Sequence, residues 1–401
     1  MHHYEQQGYD KPLITLLAFS TVGFYMPIGE SYIKAFVILF LTCLFINSIQ
    51  HRDRNLREPK GYNIFFCLTL LISLSILPAY FYWNQGLLAS IISTSPYMIY
   101  GLYLLLYRSK LSKAYLHKLL IALACISIIL LLIKLIIPSL PIGKVINDIE
   151  RGDRISIPGS IFIWYLYFVI LEKLLSNRSK RGLLILAFAV CVFCIYIQKG
   201  RSQLFAIAAL SVVFWLRHSR GNKIILAFFI IISSVIIINS PIVKELSSIT
   251  QKQMDSTNPD QHVREIGIYY YFCEFPVKGI NYLIGNGIPS YGRSSYGIQA
   301  EQFAEETKIH LVDIGLAGIY NYWGLFGLIL YIYIFYHFII QNRRQENSPA
   351  RYFLSILFAQ SILSAVPLYL SSICAIGISC FLASKPILQL NESNYIPTEK
   401  T

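Results

Sequence analysis

Apolar residues run along this chain in long blocks separated by short polar stretches. The blocks fall near 12–28, 32–47, 62–82, 87–107, 119–137, 159–175, 183–198, 203–216, 224–240, 310–340, 352–368 and 370–384. Several approach the roughly 20 residues with which an α-helix crosses a bilayer. The pattern predicts an all-α integral membrane protein of about 12 transmembrane helices, forming one polytopic domain over residues 1–401. The last two blocks are a single apolar run, divided on length and at Pro367. One polar interruption is far longer than the rest: residues 241–309 form an extended loop before the tenth predicted span. The polar N-terminus leads into an ordinary apolar block without a small-residue cleavage site, so the first span is expected to stay as an anchor.

Charge gives the blocks a direction. Basic residues cluster at every second loop: Arg52, Arg54, Arg57 and Lys60; Arg108, Lys110, Lys113 and Lys118; Lys173, Arg178, Lys180 and Arg181; Arg217, Arg220 and Lys223; and Arg343, Arg344 and Arg351. The positive-inside rule makes these loops cytoplasmic, with both termini inside. Residues 29–31, 83–86, 138–158, 199–202, 241–309 and 369 then face outward. A formal net charge of +13 otherwise invites a nucleic-acid partner, but topology accounts for most of it and nothing else in the chain supports nucleic-acid binding. With 55% hydrophobic and 14% charged residues, the chain is not a soluble globular protein. Lys34 and Lys134 lie near the outer ends of their spans, where a long side chain can snorkel to the headgroups. The spans lack mid-membrane acidic residues and the chain lacks internal repeats, which argues against a secondary transporter. Seven of the eight cysteines lie in apolar runs, so Cys191-x-x-Cys194 reads as small packing residues rather than a redox pair.

The outward loops hold the candidate chemistry. In Q-K-G-R-S (198–202), Lys199 and Arg201 sit paired in a short outer loop, against the positive-inside bias. They suit either lipid headgroup phosphates or a substrate phosphate, for which a guanidinium offers forked donors. R-G-D-R-I-S-I-P-G-S (151–160) brings Arg151 and Arg154 to the outer end of the sixth span. In the long loop, Arg264 opens the helical-looking R-E-I-G-I-Y-Y-Y-F-C-E-F, whose Tyr269, Tyr270 and Tyr271 suit either sugar stacking or contact with the membrane surface. G-N-G at 285–287 reads as a turn, G-R-S-S-Y-G (292–297) as a flexible loop and 300–307 as a short acidic helix. His310 and Asp313 are three apart, so on a helix they share a face. Either is a competent general base, and either also suits a helix start facing water. Gly315, Gly318, Gly324 and Gly327 point to close helix packing beyond them.

Taken in order, K-G-R-S, the arginine before F-P, Y-L-I-G-N-G and D-I-G-L-A-G-I-Y-N-Y-W-G-L-F-G resemble the O-antigen polymerase and O-antigen ligase family of polytopic bacterial glycosyltransferases. The likeness covers roughly 183–340, and the remainder only through span number and topology. It implies a GT-C-like membrane fold in the bacterial cytoplasmic (inner) membrane, with the active site facing the periplasm or outside. The implied reaction is inverting, uses neither metal nor other cofactor, and joins undecaprenyl-pyrophosphate-linked glycans as donor and acceptor. By motif match Arg201 and Arg264, with Arg154 beside them, would hold the pyrophosphate, whose charge grows as the glycosidic bond breaks. Ligase-type members carry a histidine at the position that Asp313 holds here, so the expectation is a polymerase making O-antigen, capsule or exopolysaccharide. Asp313 or His310 would be its base, with Tyr270 and Tyr271 against sugar. A flippase and a chain-length regulator are the implied partners, besides membrane lipid. The alternatives are an O-antigen ligase and, from another class, a lipid-linked oligosaccharide flippase. A flippase would need polar groups along a central path, whereas this chain keeps its unusual charges at one surface.

Overall fold

The computed structural model describes residues 2–22, 30–50, 60–109, 111–140, 144–146, 154–157, 159–176, 181–198, 201–218, 267, 269–275, 279–307, 315–341, 348–362, 364 and 366–384. Within them the architecture is helical. In chain order the helices are α1 (His2–Val22), α2 (Glu30–Gln50), α3 (Lys60–Leu74), α4 (Ile76–Phe81), α5 (Leu87–Thr94), α6 (Leu102–Arg108), α7 (Lys113–Ile136), α8 (Phe162–Ser176), α9 (Arg181–Ile197) and α10 (Arg201–His218). After the long loop come α11 (Asn281–Ile284), α12 (Ser295–Thr307), α13 (Leu316–Phe335), α14 (Ser348–Ser361) and α15 (Leu370–Ala383).

Helices stand at eleven of the twelve predicted blocks; 224–240 lies outside the described residues. Four described helices are long and apolar enough to cross a membrane: Gly61–Phe81, Leu87–Arg108, Lys113–Ile136 and Leu316–Gln341. The protein is therefore a helical membrane protein. Three details depart from the sequence expectation. The 138–158 loop holds a short antiparallel pair, β1 (Lys144–Ile146) with β2 (Arg154–Ser156), which places Ile146 opposite Arg154. The 310–340 run is interrupted at Gly315, whose positive φ of 56° precedes α13. A Cβ there would lie 2.3 Å from the Ser361 carbonyl oxygen, so the helix α14 it crosses selects glycine. Finally, G-R-S-S-Y-G is anchored: Ser294, Tyr296 and Gly297 are buried, and α12 starts at Ser295. The apolar run 352–384 does divide near Pro367, at a 3-10 turn (Val366–Leu368), and the Tyr100 hydroxyl donates to the Pro367 carbonyl at 2.5 Å.

Short connections make sequential helices antiparallel neighbours, and the polar ties respect the two ends that the charge pattern defines. At one end Arg108 donates to the Tyr62 hydroxyl, and Lys113 Nζ reaches the Leu382 carbonyl at 3.1 Å and the Ser384 carbonyl. The lysine thereby caps the C-terminus of α15, where carbonyls lack helical partners and the helix dipole favours a cation. Every segment in these ties was assigned to the cytoplasmic side. At the other end Lys134 is buried and donates to the Pro138 carbonyl at 2.7 Å and to that of Leu140, so it closes the chain leaving α7 instead of snorkelling.

Candidate functional site

At the outer end, the described part of the long loop folds onto the Trp83–Gly86 connection and onto α13. Within it Y-L-I-G-N-G (282–287), buried from Gly285 onward, docks against N-Y-W-G (321–324) backbone to backbone. The Asn286 and Gly287 amides donate to the carbonyls of Asn321 and Tyr322 at 2.8 and 3.1 Å. These carbonyls accept loop amides where Gly324, at φ 66° and ψ −166°, breaks the helical ladder. Both partners need glycine at the crossing. A Cβ on Gly285, at φ 83°, would stand 2.2 Å from the Tyr322 carbonyl oxygen, and one on Gly324 would stand 2.4 Å from the Leu283 carbonyl. Two stretches that read in sequence as a turn and a packing helix are thus a single mated joint.

Side chains complete the joint. Gln85, fully buried, uses all four of its hydrogen-bonding positions. Its Oε1 accepts from the Ser290 amide and the Ser294 hydroxyl, both at 2.8 Å, while Nε2 donates to the Ile288 carbonyl at 3.0 Å and to Ser90 Oγ at 3.1 Å. Asn286 Oδ1 accepts from Asn281 Nδ2 at 3.1 Å and from Trp83 Nε1 at 3.4 Å. The Trp83 indole packs on both Tyr296 (centroids 4.5 Å) and Phe275 (5.6 Å), which are themselves 5.8 Å apart. The Tyr296 hydroxyl lies 3.1 Å from the Gly287 carbonyl and 3.0 Å from the Asn321 side-chain amide. One proton serves one acceptor, so the phenol donates to the Gly287 carbonyl or to Asn321 Oδ1. Asn281 Oδ1 and Asn286 Nδ2 remain buried without a protein partner, which leaves an acceptor and a donor available to a water or a small hydroxyl.

The tyrosines of the loop divide by exposure. Tyr271 is fully buried against Phe275 and Phe303, so its ring faces are occupied by protein. Tyr270 lies flat on Phe303, with centroids 3.8 Å apart and planes 4° from parallel. Protein therefore covers the Tyr271 ring against the expected sugar contact, whereas Tyr270 is half-buried, with Phe303 on one of its faces. Tyr269, Tyr282 and Tyr291 are the exposed rings. Burial pushes the Tyr270 phenol up, and the Glu274 and Glu306 carboxylates add to this while a bond to Gln299 opposes it. Burial likewise raises Tyr271 and Tyr296, with neighbouring phenols second in each case. All three stay neutral at physiological pH, as donors rather than bases.

Among the other expected site residues, Arg264, His310 and Asp313 lie outside the described residues. For Arg154 and Arg201 only the backbone is described: Arg154 opens β2, and Arg201 is the first residue of α10. Gln85, Asn281 and Asn286 carry no sequence signal that separates them from ordinary loop polars. Asn321 does carry one, as an amide within an apolar run, where polar groups are costly and commonly have a task. Comparison of the chain with protein-family models and with curated proteins finds no match in either.

Proposed function

We propose that this protein polymerises undecaprenyl-pyrophosphate-linked oligosaccharide repeat units into a surface polysaccharide, at the outer face of the bacterial cytoplasmic membrane. In this reading it is a GT-C-like glycosyltransferase of about 12 spans. A hydroxyl of one lipid-linked glycan attacks the anomeric carbon of another, and undecaprenyl pyrophosphate leaves as a charged group needing no acid. Arg201, Arg264 and Arg154 hold that leaving group, and Asp313 or His310 takes the hydroxyl proton. Arg201 begins α10, so its cation adds to the positive end of a helix dipole, a setting that suits phosphate.

The observation that supports this reading best is the mated joint. Two of the stretches carrying the family resemblance, Y-L-I-G-N-G and N-Y-W-G, bond to each other through Asn286, Gly287, Asn321 and Tyr322. A chance likeness in two unrelated loops gives no reason for the two to meet. The test is Arg264→Ala and Arg201→Ala in a producing strain. Each is expected to abolish polymer at unchanged protein level and leave single repeat units on the lipid carrier. Normal chain lengths in both variants would remove the pyrophosphate role, and single units retained on the inner leaflet would instead indicate a flippase.

A further inference from the structure

We propose that residues 280–287 form a re-entrant wedge that dips into the membrane between two spans, with the outer side of its first turn against lipid acyl chains. The sequence places the whole of 241–309 outside the membrane, so this surface is new. It does not depend on the proposed enzymatic activity.

Three observations carry the inference. The first is depth. Gly287 approaches the other span so closely that a Cβ would lie 2.3 Å from the Ser75 carbonyl oxygen. The same Cβ would lie 2.8 Å from Ala79 Cβ, level with that oxygen and two residues before the end of the Gly61–Phe81 helix, or about 3 Å along its axis. On the facing side the wedge meets Gly324, eight residues into the span that starts at Leu316, or about 12 Å. The Gly61–Phe81 helix has 21 residues and is about 31 Å long, close to the ~30 Å thickness of the hydrocarbon layer. The contact at Gly324 therefore lies inside that layer, and the one at Ala79 just within its edge.

The second is inverted polarity. In the turn, Asn281 is the buried residue at 2% exposure, while Ile280, Tyr282 and Leu283 are 52%, 46% and 40% exposed. Water would favour the reverse; hydrocarbon favours what is seen. This apolar surface also continues into the exposed Leu325 and Phe326 just beyond the Gly324 kink, and Leu77 is exposed on the opposite span. The third is backbone satisfaction. Irregular backbone is tolerated at membrane depth only where protein meets its polar groups. Here the Asn286 and Gly287 amides bond to α13 carbonyls, the Gly287 carbonyl accepts from Tyr296, and the Ile288 carbonyl accepts from Gln85. Residues 285–289 are all buried.

The wild-type protein in phospholipid vesicles tests this with two reagents and peptide mapping. A lipid-dissolved carbene precursor should label Ile280–Leu283 as heavily as Leu325 and Phe326, and several-fold more than the exposed face of helix 295–307. A water-soluble carbodiimide should modify Glu305 and Glu306 there, and hydroxyl radicals should spare Tyr282 while oxidising the exposed Tyr291. Oxidation of Tyr282 equal to that of Tyr291 places the turn in water and overturns the proposal. Protection from both the carbene and the radicals means a protein partner covers the turn, and overturns it equally.

Discussion

The two ends of the bundle are held together by different parts of the chain. At the inner end, the one expected to be cytoplasmic from the charge pattern, contact is between side chains. Phe65 stacks on Tyr103 at 4.7 Å, Phe338 meets Tyr103 at 5.4 Å, and Phe381 completes the cluster at 6.4 Å from Tyr103. Glycines there make room for side chains: a Cβ on Gly61 would press on the tip of the Phe338 ring, and one on Gly377 would stand 3.3 Å from Leu102 Cβ. At the outer end, the joint of 283–287 with 321–324 is backbone against backbone, with positive φ on both partners. Side chains have rotamers with which to adapt, whereas a carbonyl fixed in a span has none. The outer end should therefore tolerate substitution far less than the inner one.

The sharpest challenge to this contrast is Gly285→Ala. It meets both an unfavourable φ and the Tyr322 carbonyl, so a loss of about 3 kcal/mol or more is expected, read as thermal unfolding in detergent. A wild-type melting temperature would mean that the joint is not tight. Gln85→Leu comes next. It removes partners from the Ser290 amide, the Ser294 hydroxyl and the Ile288 carbonyl, which should cost roughly 2–3 kcal/mol. Limited proteolysis should then cut first within 279–307.

Tyr296→Phe should cost about 1–2 kcal/mol near neutral pH. It also carries a pH signature, because burial raises the Tyr296 phenol above its ordinary value. In the unfolded chain the phenol loses its proton near the ordinary pKa of about 10, while the folded protein retains it. Stability is thus full below that pH and falls as pH rises further; the phenylalanine variant should show a shallower alkaline fall in an unfolding titration. The smallest effect belongs to the inner end. Gly377→Ala places a methyl against the Leu102 side chain inside a helix that prefers alanine, so the net change should stay within about 1 kcal/mol. A loss as large as that of Gly285→Ala would erase the distinction between the two ends.

This contrast also explains what the sequence could reveal. The helices, their order and the division near Pro367 follow from apolar runs, because burial of a block depends on its own composition. The inner cluster is built from residues such as Phe65, Tyr103 and Phe338, which any apolar reading assigns to packing. The joint was legible only in pieces. G-N-G reads as a turn, whereas its amides bond across to Asn321 and Tyr322, and its partner at Gly324 lies inside an apolar run, where local pattern predicts an unbroken helix. What breaks that helix is the docking of Leu283 and Gly285, a contact between segments far apart in sequence. For the same reason Tyr271 looked available to a sugar until the Phe303 face of α12 was seen to cover it. Gln85 gave no signal at all, since three of its four partners come from the distant segment 288–294.

The most direct measurement is elongation by the purified protein alone. It would be reconstituted in vesicles with undecaprenyl-pyrophosphate-linked repeat units and followed by chain length on the lipid. The account predicts a ladder of longer glycans with release of undecaprenyl pyrophosphate, lost in Arg264→Ala. Movement of unextended units across the bilayer, with no ladder, would contradict it.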